Sequence, residues 1–338
     1  MLSFDNNDIA LLRQKLGEES PIVILSHINA DGDAVGSLLG VRQLISSHSN
    51  TPTYCILPNG CPENFRFLPG SEHILSADNE REHCRQLIAY APLIVCVDMN
   101  NAARVDFLAD DINDAKGYKV LIDHHHNPDR DLFDLIFSFP ELSSACELVY
   151  WLFRSLWGNG AFDRDSATCL YSGICTDTGS FAYSNDQPSL YMAASNLVAF
   201  DIDPADIHNQ LLNNFSIARM QFFGYAITNC LKIFEDKHFA YFSLPLDIQR
   251  QFGVIPADME GLVNYTLMMR DITVGALIRE EENRCKVSLR SKYDYDVNIF
   301  AQRYLNGGGH TKAAGATSKL SLEQTAQLIE QKLIEELS

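Results

Sequence analysis

Four short stretches of the sequence place carboxylates and imidazoles where chemistry could use them. They are His27-Ile28-Asn29-Ala30-Asp31-Gly32-Asp33, the single Asp98, Asp123-His124-His125, and Asp177-Thr178-Gly179. Carboxylates gathered in one place repel one another, and their ionised forms need a compensating charge. Divalent cations supply it. Carboxylate oxygens with one imidazole per cation suit Mn²⁺ or Mg²⁺ better than a thiolate-selected zinc. Two such cations about 3.5–4 Å apart can activate a water and clamp the oxygens of an in-line phosphoryl displacement. Asp98, alone at the end of its apolar run, is the natural carboxylate to bridge them. Taken singly the stretches are blander, because Asp and Gly favour solvated turns. Their coincidence at one edge of a sheet is what argues for a site.

The elements that must position these residues follow from periodicity. Residues 21–28 (PIVILSHI), 51–57, 93–99 and 119–123 are short, β-rich apolar runs that read as buried strands. Residues 34–46, 81–90 and 143–156 carry helical patterns, the last with Ser143 or Ser144 as its cap, and a further strand is expected at 132–139. Alternation of this kind predicts an α/β fold with a parallel sheet and helices on both faces. Such sheets bind ligands at the carboxyl ends of their strands. The first three stretches each end a predicted strand, and Asp177 follows a helical pattern at 166–175, so all four can meet on that edge.

Residues 186–229 are mainly helical and read as a connecting segment. Beyond them strands are expected at 238–244, 272–280 and 285–291, with a hairpin turn at 281–284. A helix at 297–305 leads into Gly307-Gly308-Gly309-His310, and an amphipathic helix capped by Ser321 closes the chain. Its polar side carries Glu323, Glu330, Glu335 and Glu336. Glycines let backbone N–H groups approach a phosphate, and Arg290 on the preceding strand offers a planar fork of donors. The glycine run therefore reads as a shaped loop, followed by the small-residue run 311–315. The organisation expected is a catalytic domain at 1–190, a helical linker at 191–232 and a smaller α/β domain at 233–338.

Composition narrows the substrate. The chain has 44 acidic and 26 basic residues, a formal charge of −18. Proteins that grip long DNA or RNA normally present a basic surface, so a long nucleic-acid track is not expected, while a compact anion drawn to a cation-bearing site is. No apolar run is long enough for a membrane span and no signal pattern is present. The nine cysteines are scattered without a CxxC pair, which fits buried thiols in a cytoplasmic protein.

In their order, HINADGDAVGS, VDMNN, IDHHH, GICTDTGSF, SLRSKYDYDVNIFA and GGGHTKAAG resemble the DHH phosphoesterase family with its GGGH-bearing associated C-terminal domain. The resemblance spans nearly the whole chain and looks most like the stand-alone members that degrade nanoRNA and dephosphorylate 3′-phosphoadenosine 5′-phosphate (pAp). It implies that His27, Asp31 and Asp98 hold one cation, and that Asp33, Asp98, His124 and Asp177 hold the other. Mn²⁺ is the expected metal, with Mg²⁺ or Co²⁺ as alternatives. It further implies that His125 lies beside the reacting phosphate, that Asp123 orients the site, and that Arg290, Ser291, His310 and Gly307, Gly308 and Gly309 bind substrate across a cleft between the domains. Short oligoribonucleotides, pApA, pAp and cyclic di-AMP all remain open as substrates, as does a homodimer. Rival readings are an inorganic pyrophosphatase or polyphosphatase, a RecJ-like exonuclease and a nucleotide-binding sensor. Three departures from the family pattern stand out: Ala30 and His126 each stand where proline is frequent, and Met99-Asn100-Asn101 replaces small hydroxyl residues.

Overall fold

The computed structural model describes residues 3–18, 20–182 and 186–337, which divide into two compact units, 1–214 and 215–338. The division falls inside the segment 191–232. In the first unit the chain runs α1 (Asn6–Leu16), β1 (Ile22–Leu25), α2 (Gly32–Ser46), β2 (Thr53–Leu57), β3 (Ile74–Ser76), α3 (Arg81–Tyr90), β4 (Leu93–Val97), α4 (Ala109–Asp114), β5 (Tyr118–Asp123), β6 (Leu135–Ser138), α5 (Ala145–Trp157), α6 (Arg164–Asp177), α7 (Pro188–Val198) and α8 (Pro204–Leu212). The six strands pair in the order β3-β2-β1-β4-β5-β6, every pair parallel. Successive strands are added outward in one direction from β1 and in the other from β4, so a crevice opens beyond the carboxyl ends of these two neighbours.

Strand alternation explains why both faces are covered. Ile22 and Ile24 of β1, with Val95, Val97, Val120 and Ile122, face a core shared with α1, α2, α5 and α6. Val23, Leu25, Ile94, Cys96 and Leu121 face the opposite core, with Cys84, Ile88 and Ile112 of α3 and α4. Ser144 caps α5 through the Glu147 N–H, as its sequence position suggests. Leu190, Ala193 and Leu197 of α7 and Ile207 of α8 are buried in the first core. The segment expected as a connector thus contributes two helices to the first unit.

The second unit continues with α9 (Ile217–Asn229), β7 (Leu231–Phe234), β8 (Phe239–Leu244), α10 (Leu246–Phe252), α11 (Asn264–Met268), β9 (Val274–Glu281), β10 (Arg284–Ser291), α12 (Val297–Leu305), β11 (Gly308–His310), β12 (Ala313–Ser318) and α13 (Leu322–Glu336). Its sheet has the order β11-β12-β10-β9-β8-β7. One face packs α12 and α13; the other packs α9 through Phe222, Phe223 and Ala226 against Phe242 and Leu277.

Two expectations are corrected here. Gly308–His310 of the GGGH run form an edge strand rather than a loop, and after a turn at 311–312 the small-residue run enters β12. Glycine and alanine carry little strand propensity, so packing decides these strands rather than local preference. A Cβ at Gly307 would lie 2.2 Å from the Gly315 carbonyl oxygen, and one at Gly309 would lie 2.5 Å from that of Ala313. Ser321 caps α13 with Gln324 completing the box. Glu330 and Glu336, however, do not simply face water: Tyr241 donates to Glu330, while Tyr295, Tyr304 and Arg303 donate to Glu336.

Candidate metal centre

Beyond the carboxyl ends of β1, β4 and β5, three ligand groups form within the first unit: His27, Asp31 and Asp98; Asp33, His124 and Asp177; and Asp98, His124 and His125. Asp98 stands between the two imidazoles. Its Oδ2 is 3.3 Å from His27 Nε2, and its Oδ1 is 3.5 Å from His124 Nε2. His27 Nε2 also lies 3.9 Å from Asp31, while His124 Nε2 lies 3.7 Å from Asp33 and 3.3 Å from Asp177. Asp98 has a left-handed backbone, φ 53°, a conformation that costs energy and collects at functional sites.

The surrounding hydrogen bonds turn these side chains toward one another. His27 Nδ1 meets the Ile28 carbonyl at 2.9 Å and His124 Nδ1 meets that of Leu142 at 3.4 Å. A carbonyl accepts only from N–H, so each ring commits its Nδ1 proton there and turns Nε2, the nitrogen a cation would take, into the cluster. Asp33, fully buried, accepts from the Ala145 and Cys146 N–H groups at 2.6 and 2.8 Å, at the N-terminus of α5. Asp31 caps α2 by accepting from the Asp33 and Ala34 N–H groups. Asp123 accepts from both Nδ1 and the backbone N–H of His125, at 2.8 and 3.1 Å.

Protonation shows how much positive charge the cluster demands. Burial and the neighbouring Asp98 push Asp33 up to about 7. Burial, Asp33 and Asp98 raise Asp177 well above the carboxylate range. Burial opposes charge on His124, yet Asp98, Asp33 and Asp177 outweigh it and raise the ring to about 10. Burial would lift Asp98 too, but His124 and His27 hold it well below its ordinary value. His27 Nε2 and Asp98 Oδ1 are buried without a hydrogen-bonding partner. Orphaned donors and acceptors of this kind are rare unless something else coordinates them. Oxygen- and imidazole-rich, with both Nε2 atoms facing inward, the residues fit divalent cations.

Two helices bring Asp33 and Asp177 together, and glycines make the approach. A Cβ at Gly32 would lie 2.3 Å from Thr176 Cγ2, one at Gly36 2.6 Å from the Cys169 carbonyl, and one at Gly40 2.5 Å from Leu170 Cδ2. From the other side, a Cβ at Gly173 would lie 2.2 Å from Cys146 Sγ. This four-residue glycine spacing lies openly in the sequence and escaped the motif-based reading. So did Arg104, whose carbonyl accepts from the Ile28 N–H and whose buried Nε has no hydrogen-bonding partner. Asn100 and Asn101, which depart from the family pattern, brace the site: Asn100 donates to the His126 carbonyl at 2.9 Å, and Asn101 donates to Asn100. His126 itself is exposed.

Residues 21–174 match the DHH family, N-terminal domain, and residues 236–337 match the DHHA1 domain. An exopolyphosphatase-related protein from Bacteroides fragilis has the same structure at TM-score 0.95, with 33% identity over 100% of this chain and 98% of that one. The chain belongs to the DHH family. It is a hydrolase acting on phosphate ester bonds. Similar curated proteins are the bifunctional oligoribonuclease and PAP phosphatase NrnA of Thermus thermophilus, 27% identical over 95% of this chain and 91% of the relative. A probable counterpart in Streptococcus mutans is 29% identical over 90% and 91%. RecJ from Thermus thermophilus, at 12% identity and TM-score 0.56, shares the fold.

In the DHHA1 unit, Arg290 pairs across the sheet with Ala313, which in turn pairs with His310, so Arg290 and His310 share a face. Arg290 Nη1 donates to the Leu289 carbonyl at 2.9 Å, and burial lowers the guanidinium's pKa. Ser291 alternates to the opposite face. It is buried, and its hydroxyl donates to the Tyr295 carbonyl at 2.7 Å, which makes it a brace for the following turn rather than a ready substrate donor. Asn298 Oδ1 accepts from the Gly309 N–H at 2.9 Å and ties the glycine strand to α12. Among the described residues no helix is long and apolar enough to cross a membrane.

Proposed function

We propose that this DHH protein hydrolyses short oligoribonucleotides and pAp with two divalent cations, Mn²⁺ by preference. The observation that carries the reading is the division of Asp98, one oxygen toward His27 and the other toward His124. His27, Asp31 and Asp98 would hold one cation; Asp33, His124, Asp177 and Asp98 would hold the other. Bound there, the cations supply charge neutralisation for the phosphate and lower the pKa of a coordinated water. The protein's own part is positional. Asp33 is pinned by the N-terminus of α5, and the two imidazoles are fixed in one tautomer by carbonyls. His125, held at Nδ1 by Asp123, keeps Nε2 for the substrate; with both ring nitrogens protonated, Nε2 would donate a hydrogen bond to the phosphate or a proton to the leaving oxygen.

Relatives named for oligoribonuclease and PAP phosphatase activity and the charge of −18 both support this substrate class. Arg290, His310 and Gly307 to Gly309 would hold the substrate's non-reacting part. The test is a panel of pAp, pApA, cyclic di-AMP, pyrophosphate and a longer RNA, each with Mn²⁺ and read by product chromatography. Turnover of pAp and pApA ahead of the others is the expected result. Preference for pyrophosphate would replace this reading with the inorganic pyrophosphatase rival.

A further inference from the structure

The turn between β1 and α2 carries two of the expected cation ligands, His27 and Asp31, and its backbone is strained. Asn29, between them, lies in the left-handed region at φ 55°, where asparagine is tolerated better than most residues. Ala30, which follows, has no ring to fix its φ. The turn therefore needs support from outside. On the β4 side, the Ile28 N–H donates to the Arg104 carbonyl at 2.9 Å. On the other side the support is Asn59, just beyond the carboxyl end of β2, which runs parallel to β1 as its neighbour.

Asn59 meets Asn29 twice. Its Oδ1 accepts from the Asn29 backbone N–H at 3.0 Å, and its Nδ2 donates to Asn29 Oδ1 at 2.9 Å. A backbone N–H can only donate, so the Asn59 amide has one orientation that satisfies both bonds. Two bonds from one amide plane to one residue fix its rotation as well as its place. Asn59 itself stands on a firm mount. Ala77 and Asp78 donate to the Leu57 and Pro58 carbonyls at 3.1 and 2.8 Å. Gly60, at φ 75°, packs so closely that a Cβ there would lie 3.0 Å from Ser76 Cβ.

The other cation group is supported by different elements. Asp33 accepts from the N-terminus of α5, and His124 Nδ1 is held by the Leu142 carbonyl. Among the described residues, the side-chain hydrogen bonds of Asn59 go to Asn29 alone.

We propose that Asn59 is a positioning residue for one of the two cations: it holds the 27–31 turn so that His27 and Asp31 face Asp98. It has no hold on Asp33, His124 or Asp177. The proposal rests on the two-cation reading and deepens it. Releasing the clamp weakens one cation and spares the other, whereas a general loosening of the fold would weaken both.

The experiment is Mn²⁺ titration of the full-length protein, followed by calorimetry and by electron paramagnetic resonance. Wild type, Asn59→Ala, Asn59→Asp and Asp31→Asn are compared after thermal melts show each folded. Asp31→Asn keeps an acceptor for the α2 cap and marks the binding event that belongs to the His27 turn. Wild type should take up two ions whose spins couple. Asn59→Ala should weaken by about tenfold the same event that Asp31→Asn weakens, the lower end for residues that orient metal ligands, and leave the other event unchanged. At limiting Mn²⁺ the isolated-ion signal should replace the coupled one, and excess Mn²⁺ should restore coupling and hydrolysis together. Asn59→Asp should keep wild-type binding, because Asn29 can turn its amide and donate to the new carboxylate. Equal weakening of both events in Asn59→Ala, no weakening of either, or a loss in Asn59→Asp as large as in Asn59→Ala overturns the clamp. Uptake of a single ion by wild type would overturn the two-cation reading, and the clamp with it.

Discussion

Asp98 concentrates the account at a single residue. Its carboxylate faces two imidazoles and its backbone is left-handed, a region that asparagine tolerates better than most residues. Asp98→Asn should therefore keep the fold, judged by circular dichroism and a melt, while losing nearly all hydrolysis. Asp123→Asn is a gentler lesion. It weakens the acceptor that fixes His125, so kcat should fall roughly 10–100-fold, with the bound Mn²⁺ per chain unchanged by elemental analysis. Protonation supplies a third expectation. Asp33 ionises near 3.8 in an unfolded chain and near 7 here, so the metal-free fold loses stability as pH rises across that interval. His124, raised from 6.5 to about 10, has a contribution intact below 6.5 and lost as pH climbs toward 10. Asp98, being lowered, acts only in acid. Both alkaline-side effects run the same way. The Tm drop caused by EDTA should grow between about pH 6 and about pH 8.5, as bound cations replace protons; a drop independent of pH would contradict the assignment of charges.

At the scale of elements, the decisive contact is α2 against α6. Asp33 rides on one and Asp177 ends the other, and glycines at 32, 36, 40 and 173 allow the approach. Gly173→Ala would push a methyl group into Cys146 Sγ and against Asp33 Cα, 3.1 Å away. It should cost about 1–3 kcal/mol of stability and weaken Mn²⁺ binding, measured by melts and by titration; unchanged Mn²⁺ affinity would mean that this contact does not set the site. What could be read in advance divides along the same lines. The apolar runs of β1, β4 and β5 are continuous, and each ends in a carboxylate or histidine, so both the strands and their shared edge were legible. Asp33's fixing by the N-terminus of α5 was not, because residues 33 and 145 meet only through tertiary packing. Gly308–His310 and Ala313–Ser318 were missed as strands because glycine and alanine declare no strand preference; cross-strand pairing decides them. Ser291 showed as a motif letter, but its burial and its bond to Tyr295 need the pleat to be seen.

Over the whole molecule, charge is the selective feature. A net −18 repels a polyanion through the solvent-exposed surface, whereas cations held at the Asp98 cluster would attract one locally. Hydrolysis rates should therefore fall as an oligoribonucleotide lengthens, with the penalty greatest at low salt, where screening is weakest. The central claim, that two cation groups sharing Asp98 carry phosphate-ester hydrolysis, is tested most directly by one paired measurement. Mn²⁺-dependent hydrolysis of pApA is followed by product chromatography for wild type and Asp98→Asn, with bound Mn²⁺ counted in the same samples. The account predicts turnover and two tightly bound ions in wild type, and loss of both turnover and tight metal binding in the folded variant. An Asp98→Asn protein that hydrolyses pApA at the wild-type rate would contradict it.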